Sequence, residues 1–197
     1  MNPAKEKNIE GTLEEIMAKV YAGIAEEELP MMLMNMEVTS EDIEYYVGTA
    51  DIDFKEALAV KESDGDYKTV NSYGYMGKYQ FGKGTLKYIG LKNTQDFLNN
   101  PVLQEKAFVA YVQKNKWILR KEIQKYAGKT IRGILITESG ILAAAHLGGA
   151  GSVQDFLRSN GNVSFVDGYG TDIKTYLKAF ANYDLTTIKA EKNPKIA

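Results

Sequence analysis

The sequence predicts a mainly α-helical α+β protein with one small β-region. Several stretches carry apolar residues at helical spacings of three and four, as Ile16, Val20 and Ile24 do. Between residues 67 and 81, Tyr, Val and Gly alternate with polar residues, a pattern typical of a short irregular hairpin. With 197 residues, of which 44% are hydrophobic, the chain can bury one ordinary globular core.

The composition argues against several classes of protein. The 24 basic and 26 acidic residues give a net charge of −2, which does not indicate a nucleic-acid-binding protein. A single histidine, His146, and no cysteine argue against a zinc site. No apolar run is long enough for a transmembrane helix, and no secretory signal is visible, so the route of delivery stays open.

Three regions are predicted along the chain. Residues 1–50 form an acidic helical segment, in which Thr12 and Glu15 make a capping box. This segment either packs on the main domain, which is the simpler interpretation, or docks a partner or delivery machine, or covers a site. Residues 51–184 form the main domain, and the polar, Lys-rich tail 185–197 is predicted to be mobile.

The predicted helices of the main domain are bounded by capping residues and glycines. Pro at a first helical position and Gly after a last one are typical of such boundaries. The predicted helices are 52–62, then 101 to about Gly128, 137–147 stopped by Gly148-Gly149, a further start at Ser152, and 171–183.

Glu62 is the candidate for acid–base chemistry. It follows the apolar run Ala57-Leu58-Ala59-Val60 and lies where the first helix of the domain ends and the β-region begins. A carboxylic acid in a partly apolar site can donate a proton to the leaving oxygen of a glycosidic bond. Alone this signal is weak, because a Glu at a helix end is more often a surface residue.

Three segments carry a family resemblance. Glu62-Ser63, followed by a turn and Tyr67, resembles the Glu-Ser motif of the lytic transglycosylase and goose-type lysozyme superfamily. Residues 77–82 are similar to the Gly-Leu-Met-Gln segment of that family, and residues 142–151 to its Ala-Ala-Tyr-Asn-Ala-Gly-Pro-Gly segment. The resemblance is closest to phage-type peptidoglycan hydrolases and covers roughly residues 52–184. A fourth segment, from Tyr169-Gly170-Thr171 to Phe180, is similar to the one with which members of that group end.

The resemblance implies a lysozyme-like fold, with the small β-hairpin region beside an active-site cleft that cleaves the MurNAc-β-1,4-GlcNAc bond of peptidoglycan. Glu62 would be the general acid and then the general base. Ser63 would hydrogen-bond near that carboxylate or the substrate, unless it only ends the helix. Gln80, with Tyr79, would contact the N-acetyl groups of the sugar or help to orient Glu62.

Two further residues are expected at the cleft. His146 occupies a position where the family commonly has Tyr, and Leu147 follows where it has Asn. His146 therefore either lines the cleft, acts in catalysis, or is a half-buried ring with satisfied hydrogen bonds. Tyr169 either lines the cleft or packs at the entry of the last helix.

A second carboxylate does not stand out in the sequence. Asp64 and Asp66 are explained by turn formation, and Glu138 by the dipole of the helix it begins. A lytic transglycosylase needs only one acid/base residue, because the substrate's own 6-hydroxyl attacks and leaves a 1,6-anhydro product. The resemblance therefore favours that reaction, without a cofactor and at the bacterial cell wall, in the periplasm or outside the cell. A muramidase that uses water stays open, as does a non-catalytic glycan-binding or structural component of a phage tail or secretion apparatus.

Overall fold

The computed structural model describes residues 52–91, 94 and 96–196. In this part the chain is mainly helical, with six α-helices and one two-stranded antiparallel sheet. The predictions for residues 1–50, including the capping box and partner docking, lie outside the described residues. Over the described range, no helix has the length and apolar character required to cross a membrane.

The helices and strands follow one another with short connections. In chain order they are α1 Ile52–Ser63, α2 Lys83–Tyr88, a 3-10 turn Phe97–Asn99, α3 Pro101–Ile118, α4 Arg120–Tyr126, β1 Thr130–Ile131, β2 Ile134–Leu135, α5 Glu138–Arg158 and α6 Ile173–Ala179.

Polar side chains begin three of these helices. The Asn100 side chain accepts a hydrogen bond from the Leu103 N–H at 2.9 Å, and Pro101 occupies the first turn of α3, as predicted. Thr137 caps α5 and Asp172 caps α6 in the same way. The predicted long helix does not continue to Gly128, since it breaks at Leu119 into α3 and α4.

Helix α5 spans the predicted stop at Gly148-Gly149. Gly149 has φ 76° and ψ 160°, so the helix is kinked there rather than ended. The two predicted helices, 137–147 and the one that starts at Ser152, therefore join across the kink at Gly149. The first half of α5 is fully buried from Ser139 to Ala145 and packs against α3 and α6, so it forms the centre of the core.

The regular sheet is not where the sequence predicts it. It joins β1 and β2 with Thr130 opposite Leu135 and Ile131 opposite Ile134. The segment after Glu62 contains only isolated antiparallel bridges, from Met76 to Val70 and to Phe81. Tight turns follow each other so closely in this segment that no continuous ladder of strand pairs forms.

The tail beyond residue 184, which the sequence predicts to be mobile, packs on the domain at its start. Leu185 and Ile188 are buried in the core. The Glu191 N–H donates a hydrogen bond to the Gln113 carbonyl oxygen at 3.1 Å. Two apolar residues in a Lys-rich segment were enough to attach it to the domain.

Candidate active-site cavity

A cavity of about 420 Å³ lies beside the end of α1. Its walls come from α1, from the segment after it, from the kink of α5 and from the segment that leads into α6. It is lined by Lys61, Glu62, Thr69, Asn71, Tyr73, Tyr75, Gln80, His146, Leu147, Phe165, Asp167, Gly168, Tyr169, Thr171 and Tyr176. We call it the Glu62 cavity.

Glu62 is held in this cavity by a tyrosine. The Tyr176 hydroxyl donates a hydrogen bond of 2.7 Å to Glu62 Oε1, and the Glu62 side chain is 12% exposed. Burial, the charge of Glu62 and its hydrogen bond raise the pKa of Tyr176 far above its usual value, and the charge of Asp167 adds to this. Tyr176 therefore stays protonated and remains a donor to the carboxylate.

His146 lies next to Glu62. Its Nε2 is 2.8 Å from the Tyr79 carbonyl oxygen and 4.0 Å from Glu62 Oε1. A carbonyl oxygen only accepts, so Nε2 carries a hydrogen. Nδ1 is buried and has no hydrogen-bond partner in the described part of the chain. His146 thus lines the cavity, as one of the sequence interpretations predicts, but it is not a ring with both nitrogens satisfied.

Gln80 also faces the cavity. Its backbone is left-handed, with φ 48°, which is uncommon for a residue other than Gly. Its Nε2 donates to the Gly77 carbonyl oxygen at 2.9 Å. The amide oxygen is consequently the atom of this side chain that can accept a hydrogen bond from a ligand.

The Tyr79 side chain does not have the sugar contact predicted for it, whereas Ser63 ends α1, as one of its two interpretations predicts. Tyr79 is completely buried, stacks on Phe108 at 4.2 Å and donates its hydroxyl to Glu105, so its side chain cannot contact a sugar. The Ser63 hydroxyl donates to the Lys78 carbonyl oxygen at 2.8 Å. Both residues help to fix the position of the segment 77–80, which forms part of the cavity wall.

A buried charge cluster supports the same segment. Glu105 of α3 is within 2.8 Å of Lys55 Nζ and 3.2 Å of Lys78 Nζ, and it accepts hydrogen bonds from the hydroxyls of Tyr67 and Tyr79. Burial acts to raise the pKa of Glu105, but the two lysines and the hydrogen bonds from Lys55 and Tyr67 outweigh it and lower that pKa.

The carboxylates weighed as partners of Glu62 have other roles. Asp66 accepts hydrogen bonds from the Lys68 N–H and the Thr69 hydroxyl, and Asp64 occupies a left-handed turn position with φ 56°. Glu138 pairs with Lys116 at 2.6 Å. Turn formation, the simpler interpretation of the two aspartates, agrees with this geometry.

Sequence reasoning missed Asp167 and Tyr176. Asp167 is a second carboxylate in the Glu62 cavity, and it lies far from Glu62 in the chain, in a loop that carried no motif. Tyr176 lies within the predicted helix 171–183, but no role was predicted for it. Its position on the buried face of the helix gave no sign that the hydroxyl reaches a carboxylate.

Tyr169, predicted as a cleft residue, lines the cavity and is 59% exposed. In the described ranges, no group of three or more His, Cys, Asp or Glu side chains is arranged to hold a metal ion. No protein-family model, curated protein or solved structure matches this chain.

Proposed function

We propose that this protein cleaves the glycan strands of bacterial peptidoglycan at the MurNAc-β-1,4-GlcNAc bond, with Glu62 as general acid and then general base. The observation that carries the proposal is convergence on one cavity. Glu62, Gln80, His146 and Tyr169 come from four separate parts of the sequence resemblance, and all four line the Glu62 cavity. A lysozyme-like fold is part of the same proposal.

The cavity suits a carbohydrate. Its volume of about 420 Å³ falls in the range of small-ligand sites. Tyrosine rings offer apolar faces to sugar rings, while their hydroxyls and the amides of Gln80 and Asn71 can hydrogen-bond hydroxyl and N-acetyl groups. Together with the charged Lys61, Glu62 and Asp167, these groups give the cavity both the apolar faces and the hydrogen-bonding groups that a carbohydrate requires.

The chemistry follows from the position of Glu62. Its protonated carboxyl gives a proton to the glycosidic oxygen as the bond to the anomeric carbon breaks, and the positive charge develops on the sugar ring. The carboxylate then takes the proton of the attacking hydroxyl group. In the favoured reaction that group is the 6-hydroxyl of the same N-acetylmuramic acid, so a 1,6-anhydro ring forms.

Asp167 supports water-using hydrolysis as a second candidate reaction. A muramidase usually has a second carboxylate, which stabilises or attacks the sugar cation or activates water. Asp167 lies in the same cavity, but its Oδ1 accepts hydrogen bonds from the Tyr169 and Thr171 N–H groups, at 2.9 and 2.7 Å. Because this oxygen is engaged in forming its own loop, we favour the transglycosylase reaction.

Digestion of purified peptidoglycan, with mass analysis of the released fragments, tests the proposal. Glu62→Gln keeps the shape of the side chain and an acceptor for Tyr176, and it should lower cleavage by about 10²–10⁴-fold. Glu138→Gln is the matched control, because Glu138 lies outside the cavity. Fragments lighter by one water than the hydrolysed ones carry 1,6-anhydro ends and identify a transglycosylase. Fragments with reducing ends, if they are no longer released by Asp167→Asn, identify a muramidase.

If the wild-type protein binds glycan strands but does not cleave them, the enzyme proposal fails. The remaining hypothesis is then a non-catalytic glycan-binding component of a phage tail or secretion apparatus. Cleavage by Glu62→Gln at the wild-type rate would refute the assignment of Glu62.

A further inference from the structure

Two loops in this chain have the same sequence pattern and the same hydrogen bonds. They are 71–75, Asn-Ser-Tyr-Gly-Tyr, and 167–171, Asp-Gly-Tyr-Gly-Thr. In each, Oδ1 of the first residue accepts from the N–H groups of the third and fifth residues, at 2.9 and 3.1 Å in the first loop and 2.9 and 2.7 Å in the second.

The backbones of the loops match as well. The N–H of the first residue donates to the carbonyl oxygen of the fifth at 2.9 Å in both loops. The fourth residue is Gly74 or Gly170, with φ 80° and 86°, a left-handed conformation that other residues adopt only with strain. Each loop is therefore a preformed turn that presents the tyrosine at its third position.

The two loops pair with each other in a reciprocal way. The Tyr73 hydroxyl donates to the Gly168 carbonyl oxygen at 3.1 Å, and the Tyr169 hydroxyl lies 2.7 Å from Ser72 Oγ. The two tyrosine rings meet edge to face, with centroids 4.9 Å apart. We call this pair of loops, 71–75 and 167–171, the tyrosine clasp.

The tyrosine clasp joins two walls of the Glu62 cavity. The first loop belongs to the segment that follows Glu62, and the second to the segment that leads to Tyr176. Tyr73 and Tyr169 both line the cavity, yet they are 60% and 59% exposed, so they lie at its outer boundary. Because the two walls are in contact at the outer boundary, the cavity is not an open cleft at that point.

This closure bears on how a linear polymer can enter. Where the walls meet, the cavity is either roofed, which makes a tunnel, or stopped, which makes a dead end. A strand enters a tunnel or a dead end only by one of its own ends. The interior of a long strand could enter sideways only if the clasp parted.

We propose that the tyrosine clasp restricts cleavage to the ends of glycan strands, an inference that rests on the proposed function. Both turns are formed by their own side chains and need no ligand to order them, so Tyr73 and Tyr169 are held in position to make the contacts of the clasp. Gly168 allows the close approach, since a Cβ at this position would lie 2.9 Å from Tyr73 Cζ.

The test is a time course on long, peptide-free glycan strands, with the product lengths compared at equal numbers of bonds broken. The comparison at equal conversion makes the result independent of any change in rate. Wild-type protein should release short terminal fragments from the first time point. The double variant Tyr73→Ala/Tyr169→Ala should instead produce fragments of intermediate length, because the interior of a strand can then reach Glu62.

Two further proteins make the test decisive. Tyr88→Ala removes another exposed tyrosine, one outside the Glu62 cavity, and should keep the wild-type product pattern. The sequence has no cysteine, so Tyr73→Cys/Tyr169→Cys can be joined specifically by a short bifunctional thiol reagent. The joined protein should still release terminal fragments.

The outcomes separate the two proposals. The clasp proposal would be overturned if wild-type protein released fragments of intermediate length from the start. It would also be overturned if the double cysteine variant lost all cleavage once its cysteines were joined. In both cases the proposed function would stand. Absence of cleavage by wild-type protein would overturn the proposed function and this inference with it.

Discussion

Tyr176 and Glu62 lie 114 residues apart in the chain and are joined by a hydrogen bond of 2.7 Å. The bond links α6 to the end of α1 across the Glu62 cavity. It also gives Glu62 a donor that keeps its proton well beyond neutral pH, because burial and the Glu62 charge raise the pKa of Tyr176. The position of the proposed acid therefore depends on a residue to which the sequence analysis assigned no role.

The Tyr176–Glu62 bond predicts a specific response to alkaline pH. A tyrosine in the unfolded chain ionises near pH 10, whereas the folded Tyr176 keeps its proton. Stability contributed by Tyr176 is thus complete below about pH 10 and is lost above it, by about 1.4 kcal/mol per pH unit. The difference in unfolding free energy between wild type and Tyr176→Phe should fall with that slope.

Urea unfolding at several pH values between about 8 and 11 measures this difference. Tyr88→Phe, at an exposed tyrosine outside the cavity, is the matched control. A difference that stays constant over the whole range would mean that Tyr176 loses its proton equally well in the folded protein.

The second prediction concerns His146. Its Nε2 hydrogen is directed to the Tyr79 carbonyl oxygen, so His146 is expected to position the loop rather than transfer a proton. His146→Phe keeps the ring contacts with Phe81 and Tyr111, loses that hydrogen bond and removes the unsatisfied Nδ1. Cleavage should fall by less than about tenfold, below the roughly 10²–10⁴-fold expected for loss of a general acid.

Initial rates of cleavage of purified peptidoglycan by wild type, His146→Phe and Glu62→Gln distinguish a positioning role of His146 from a catalytic one. A loss as large as that of Glu62→Gln, with unfolding free energy unchanged, would instead assign His146 a catalytic role.

The local patterns of the sequence predicted more of the fold than of the site. The helix starts at Asn100 and Thr137 were predicted because a cap depends on a few neighbouring residues. The sheet at 130–135 was missed because two-residue strands carry no periodicity that can be recognised. Glu62 was found because it ends an apolar helix and begins a motif.

The remaining site residues depend on contacts between distant segments. Asp167 and Tyr176 enter the cavity only because α6 packs against α5, which no local pattern records. Tyr79 was misassigned because an alternating segment does not reveal which tyrosine is buried. Its hydroxyl meets Glu105, a charged residue on the buried face of α3.

The third prediction concerns Glu105. Replacing it with Gln removes the carboxylate that Lys55 and Lys78 share, although Lys78 keeps its ion pair with Glu56, 2.7 Å away. The unfolding free energy should therefore fall by at most about 3–5 kcal/mol at neutral pH. The pKa of Glu105 is lowered in the folded protein, so its contribution is complete above about pH 4.3 and is lost as pH falls through the lower, folded value. The difference between wild type and Glu105→Gln should therefore shrink in acid.

Chemical denaturation at neutral pH and in acid measures this change. Glu138→Gln, which breaks the more exposed pair with Lys116, should cost less than about 1 kcal/mol. Equal effects of the two substitutions at neutral pH would show that the buried cluster does not stabilise the domain.

The fourth prediction tests the close packing of α5 on α6, which brings Tyr176 to Glu62. A Cβ at Gly140 would lie 2.7 Å from the Leu177 backbone oxygen, so Gly140→Ala must push the two helices apart. It should lower the unfolding free energy by about 1–3 kcal/mol, and cleavage should fall with it because the Tyr176 hydroxyl moves away from Glu62. Gly151→Ala, in the same helix with open space around it, should stabilise by up to about 1 kcal/mol. If Gly140→Ala instead raised stability as Gly151→Ala does, the helices would not be in contact at this glycine, and the packing that positions Tyr176 would have to be sought elsewhere on α6.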